Sequence, residues 1–159
     1  MLDVIDVARY IVNYSNDKEY VITNLRLQKL LYFVQAYYLA FTDSKEPCFD
    51  DEIEAWDFGP VVPSAYHEFK IYGSGNIPKI NSFISFDDQD VWNSEREVFN
   101  EDKIPEDDRE IIESVVDQFA NYSTTDLVSL THRQKPWKNA YRNSGNRVIS
   151  KDSIREYFE

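Results

Sequence analysis

The amino-acid sequence predicts a mainly α-helical fold, a compact single domain over residues 1–159 around a central buried helix, with at most a few short strands. Three observations predict it. Residues 22–41, ITNLRLQKLLYFVQAYYLAF, put apolar side chains in nearly every direction around a helical wheel, which marks an enclosed helix. Several other segments carry apolar residues at helical spacing on one face only, so they suit a shell around that helix. Extended pattern is confined to short stretches, and a chain of this length buries about 70% of its unfolded surface without disulfide staples.

Taken in order, residues 2–14 place Leu2, Ile5, Ala8, Ile11 and Val12 at helical spacing, with Asp3 and Asp6 suited to the positive end of the helix dipole. A polar stretch then leads to the central helix, for which Thr23 is the expected N-cap and Ile22 clasps Leu27 as a hydrophobic staple. Inside that helix Asn24, Gln28 and Gln35 share one narrow stripe, while Arg26 and Lys29 lie toward the opposite side. Amides buried in this way need partners. Residues 42–51 form a loop containing Pro47. Residues 52–58, EIEAWDF, alternate Ile53 and Ala55 against Glu54, Trp56 and Phe58, as a short extended piece does. Gly59 and Pro60 then turn the chain. Pro63 opens a short helix over 64–72, stopped by Gly73 and Gly75, on which Tyr66, Phe69 and Ile71 pack inward.

Residues 77–103 show no sustained period and read as a variable excursion, either short strands or an irregular segment. From Pro105 the helical pattern returns, with Glu106, Asp107 and Asp108 in the first turn and Ile111, Ile112, Val115, Val116 and Phe119 along one face. Ser123 and Asp126 have the spacing of a capping box, opening a helix to about Arg133, with Tyr122 and Leu127 as a second staple. Pro136 opens a further turn of helix through Tyr141, and Ser150 caps a terminal helix over 152–158.

Composition excludes several function classes. Cys48 is the only cysteine, and with His67 and His132 as the only histidines there is no metal-ligand spacing, so neither metal nor cofactor is expected. Acids stand where a signal peptide needs a basic region, which points to the cytoplasm. Arg26, Gln28, Lys29 and Gln35 argue against a membrane span in the central helix, since each charge at the bilayer centre costs about 2.5 to 3.5 kcal/mol. The net charge of −12 repels nucleic acid and anionic membrane and speeds encounter with basic partners. That charge is uneven: acids dominate 87–113, whereas Arg133, Lys135, Lys138, Arg142 and Arg147 follow one another with no acid between them. No serine or cysteine nucleophile sits in a recognisable elbow, and no Gly-rich phosphate loop occurs.

Three stretches, TNLRLQKLLYFVQAYYLA (23–40), EIEAWDFGPVVPSAYHEFKIYG (52–73) and LTHRQKPWKNAY (130–141), together resemble the signatures of the Panacea antitoxin domain, also called the SocA-like or phage-associated GepA-type domain. The resemblance runs from the first helix to at least Tyr141 and omits 77–103. It implies a mostly helical domain that serves as the antitoxin of bacterial and phage toxin–antitoxin pairs and neutralises a toxin by binding it directly. In that family one domain type meets many unrelated toxins, some relatives carry additional DNA-binding domains, and delivery of a toxin to a protease is known. With no room here for a fused module, autonomous operator binding is not expected.

Carried over residue by residue, the resemblance marks Glu54, Trp56, Gly59, Pro60, Val61, Pro63 and Tyr66 in the second stretch, and Thr131, His132, Pro136 and Trp137 in the third. These, Thr131 apart, are the partner-binding candidates. In the first stretch, Asn24, Gln28 and Lys29 suit a buried polar network, with Glu54 as the carboxylate a buried lysine would need. The expected partner is a cognate toxin encoded by an adjacent gene, with self-association into a homo-oligomer left open. Two rivals are a nucleic-acid-linked regulator using the basic 133–147 segment, and a hydrolase centred on His132 that brings Glu54 and Lys29 into an open cleft.

Overall fold

Helix α2, Asn24–Phe41, runs through the molecule as its axis, and the other elements pack around it. The structure, a computed structural model, describes residues 1–87 and 90–159. Leu27, Leu30, Leu31, Val34 and Leu39 of α2 have almost no exposed surface, and the fold is mainly α as the sequence predicts. Leu25 and Phe41, near its two ends, are the exposed residues of this helix, and Tyr37 is half-buried. Thr23 caps it, its hydroxyl accepting from Arg26 N at 3.2 Å.

Helix α1, Val4–Asp17, is capped by Asp3 and extends past the sequence expectation to Asp17. It lies beside helix α4, Glu106–Gln118, where Tyr10 donates to Glu113 at 2.7 Å and Tyr14 to Asp117 at 2.8 Å. The C-terminal end of α4 is also anchored to α2. Arg26, buried within α2, donates to Phe119 O at 2.5 Å and Tyr122 O at 2.6 Å, placing a cation on the carbonyls just beyond the negative end of α4.

The segment after α2 is held by Gln35, which accepts from Cys48 N and donates to Phe49 O, both at 2.8 Å. Strand β1, Ile53–Trp56, then pairs antiparallel with β2, Gly59–Val61, through the two-residue turn Asp57 and Phe58. Ile53 and Ala55 point inward and Glu54 and Trp56 outward, which matches the alternation in the sequence. Helix α3, Pro63–Phe69, tightens into a 3₁₀ turn at Lys70–Tyr72. Each residue advances 120° in such a turn rather than 100°, so residue spacing read as one α-helix over 64–72 fails here. Ile71, expected to pack inward, is 85% exposed.

The 77–103 excursion is a hairpin of β3, Ser82–Asp87, with β4, Asp90–Val98. Its base is clamped by Asn13, which donates to Ile80 O at 2.9 Å and accepts from Ile80 N at 2.6 Å. The Arg9 guanidinium lies 3.5 Å from the centre of the Phe83 ring. Helix α5, Thr124–His132, opens with the expected capping box between Ser123 and Asp126. It is followed by α6, Lys135–Arg142, then β5, Val148–Ile149, pairing with β1 to give the order β2-β1-β5, and helix α7, Lys151–Phe158, against α2. No described helix is long and apolar enough to cross a membrane.

Candidate functional site

The β1–β2 turn is the point on which α2, α5 and α6 converge. Gly59 has φ +112°, and a Cβ there would stand 2.7 Å from Lys29 Cε and 2.9 Å from Thr131 Oγ1. Only glycine fits a backbone that bends this way while approaching two side chains so closely. Lys29 is fully buried and its ammonium nitrogen donates to Pro60 O at 3.0 Å. Burial pushes its pKa down to about 7.

A second polar chain runs beside this contact. Gln28 donates to Asn24 Oδ1 at 2.8 Å and accepts from Val62 N at 3.0 Å, while Asn24 donates to Tyr66 O at 3.1 Å. The i, i+4 spacing of Asn24 and Gln28 stacks the two amides on one side of α2. They thereby fix the strand and the following helix by their main chains.

The third element braces the turn from behind. Trp137 on α6 donates from Nε1 to Trp56 O at 2.9 Å, its ring stacked on Tyr141 at 4.5 Å and 4.2 Å from the His132 ring. Tyr141 donates to Asp57 Oδ1 at 2.5 Å, and that hydrogen bond pushes its hydroxyl pKa upward. Arg147 covers the Tyr141 ring at 4.5 Å. Pro136 and Thr131 are buried. Thr131 donates its hydroxyl to a carbonyl of the preceding turn, that of Leu127 at 2.9 Å.

The expected ion pair between Lys29 and Glu54 does not form. Glu54 Oε1 instead accepts from Trp56 Nε1 at 2.9 Å, on the outward face of β1. Lys29 has the Pro60 carbonyl as its partner, and its burial without a counter-charge is what lowers its pKa. The same geometry separates the hydrolase trio: Lys29 is enclosed while Glu54 faces outward. The His132 ring packs against Trp137 at a tilt of 32°, and its buried Nε2 has no hydrogen-bond partner among the described residues. The Cys48 thiol is buried, and burial pushes it up to about 12.

What these elements build on their outer side is an open groove of about 1040 Å³. Trp56 and Tyr66, edge to face with ring centres 5.0 Å apart, form its aromatic wall, with Val61 below. Of the sequence-derived candidates, Glu54, Trp56, Val61 and Tyr66 line this groove, together with Asn24 and Gln28. Gly59, Pro60, Pro63, His132, Pro136 and Trp137 are not among its lining residues. Leu25, Phe58, Lys70 and Arg147 also line the groove; of these only Arg147 stood out in the sequence, as the last cation of the basic 133–147 segment. Phe58 could have been found: an aromatic at the tip of a two-residue turn has no core to enter, and it is 65% exposed. Among the described residues, no group of three or more His, Cys, Asp or Glu side chains could hold a metal ion.

Comparison with known proteins places this arrangement. The model of the family described as antitoxin SocA-like, Panacea domain, matches residues 27–138, which take in all but the first three residues of α2, the β1–β2 turn and the first half of α6. Antitoxin SocA of Caulobacter vibrioides (strain NA1000 / CB15N) is 34% identical over 137 residues, covering 82% of this chain and 68% of that protein. No solved structure matches the chain significantly.

Proposed function

The chain belongs to the SocA-like Panacea antitoxin family, and from that premise we propose that it neutralises a cognate toxin by binding it directly, in the cytoplasm, with the toxin encoded by an adjacent gene. One observation carries the reading: segments far apart in sequence interlock into one braced turn that presents exposed aromatic surface beside an open groove. Rigid aromatic groups of this kind are enriched at binding hot spots, because they offer large area at little conformational cost. The net charge of −12 adds association rate toward a basic toxin by long-range attraction.

The test is co-expression with the product of the neighbouring gene. Binding predicts that growth is rescued and that the two proteins co-purify through gel filtration. Rescue without any complex would point to action on toxin synthesis, and absence of both would remove the antitoxin assignment for that pair.

A further inference from the structure

The groove differs in charge from the protein that carries it. In a chain with 29 acidic and 17 basic residues, a cleft open to solvent is expected to be lined by acids. Its two acids are tied to aromatic side chains: Glu54 accepts from Trp56 Nε1, and Asp57 from the Tyr141 hydroxyl. Lys70 and Arg147 line the same groove, and neither pairs with a carboxylate among the described residues. Helix α2 also opens here with Thr23, Asn24 and Leu25, and its first turn holds no acid to offset the positive end of its dipole. Leu25, Trp56, Phe58 and Tyr66 give the same groove an apolar lining in contact with solvent. The volume, about 1040 Å³, is at the upper limit for pockets that enclose one small molecule, and it is open, which suits several side chains of a polypeptide.

We propose that the groove receives a segment of the toxin that carries bulky apolar side chains flanked by carboxylates. The apolar groups lie on Leu25, Trp56, Phe58 and Tyr66, and the carboxylates meet Lys70 and Arg147. This deepens the toxin-binding reading and rests on it. The long-range field and the groove act on different parts of one partner: the field speeds the approach of a basic protein, and short-range contacts select its acidic, apolar segment.

The experiment uses the full chain co-expressed with its toxin, with photoreactive benzoylphenylalanine in place of Phe58. Irradiation and mass spectrometry should return one toxin segment with Asp or Glu within about four residues of its bulky apolar side chains, a helical turn or so of reach. In parallel, Phe58→Ala and Lys70→Glu should each weaken the complex about tenfold or more, and Lys70→Glu with Arg147→Glu further still. All three positions are exposed, and an unchanged thermal melt confirms that the variants fold. A crosslink to a basic segment, or tighter binding by the Glu variants, overturns the charge assignment. A stable complex with no crosslink at Phe58 and variants that bind like wild type removes the groove and leaves the antitoxin reading standing. If the wild-type protein holds no toxin, both fall together.

Discussion

The turn between β1 and β2 and the hairpin of β3 and β4 are both short antiparallel pairs, yet they are joined to the molecule in opposite ways. The turn is gripped from α2 through Lys29 and Gln28, and from α6 through Trp137, by contacts that reach its main chain. The hairpin is attached near its base by Asn13 and by Arg9 against Phe83, and its Ile84 and Val98 are exposed. A segment whose backbone groups are bonded to several other elements cannot move without breaking all of them. One held at a single end can shift while the core stays intact.

The largest effect should come from Gly59→Ala. The added methyl meets Lys29 Cε at 2.7 Å and Thr131 Oγ1 at 2.9 Å, both inside the core, at a φ of +112° that alanine disfavours. A loss of about 3 kcal/mol is expected from strain and overpacking together, measured by urea unfolding. A loss below about 1 kcal/mol would mean that the turn yields as readily as the hairpin.

Next comes the pH dependence set by Lys29. Its pKa is about 7 in the fold against an ordinary value of 10.5. Between these values the unfolded chain binds the extra proton, so stability rises with pH from about 7 toward 10 and is lowest, with the full cost of burying the charge, below 7. The gain is on the order of 3 kcal/mol. Above about pH 10 the buried tyrosines reverse the trend, because the fold raises their pKa values. Lys29→Met should flatten the rise between pH 7 and 10. An unchanged slope in that variant would show that another group produces it.

Arg26→Met should cost about 2 kcal/mol, since it leaves the carbonyls of Phe119 and Tyr122 without their charged donor. Hydrogen exchange would localise the loss to the last turn of α4 rather than to the β1–β2 turn. Equal deprotection of both would mean that the end of α4 and the β1–β2 turn, both held by the first turns of α2, form one cooperative unit.

How much of this was legible in the sequence follows from where each partner lies. The enclosed axis could be read from apolar residues on all its faces, and its start from Thr23, because those signals are local. Asn24 and Gln28 could be matched by their spacing of four. Arg26 could not be assigned, since its acceptors lie more than ninety residues away at the end of another helix. For Lys29 the expectation of a carboxylate passed over a main-chain acceptor, the Pro60 carbonyl, thirty-one residues away. Phe58, Lys70 and Arg147 come together only once the sheet and the 3₁₀ turn are formed, so spacing along the chain carried no trace of their groove. In the hairpin, a register shift between Ser85 and Asp87 interrupts the alternation that would have revealed two strands.

The smallest effect, and the one that most sharpens the contrast, is expected for Asn13→Ala. The side chain makes two hydrogen bonds with the main chain of Ile80, both partly buried, which together contribute about 1 kcal/mol. Because they fasten only the base of the hairpin, their loss should raise amide exchange at Ile80 and Phe99 while exchange in α2 follows global stability alone. Toxin binding should be unchanged, since the groove is built by residues on other elements. A drop in affinity in this variant, at unchanged global stability, would instead place the hairpin in the interface and give the two antiparallel pairs a shared role.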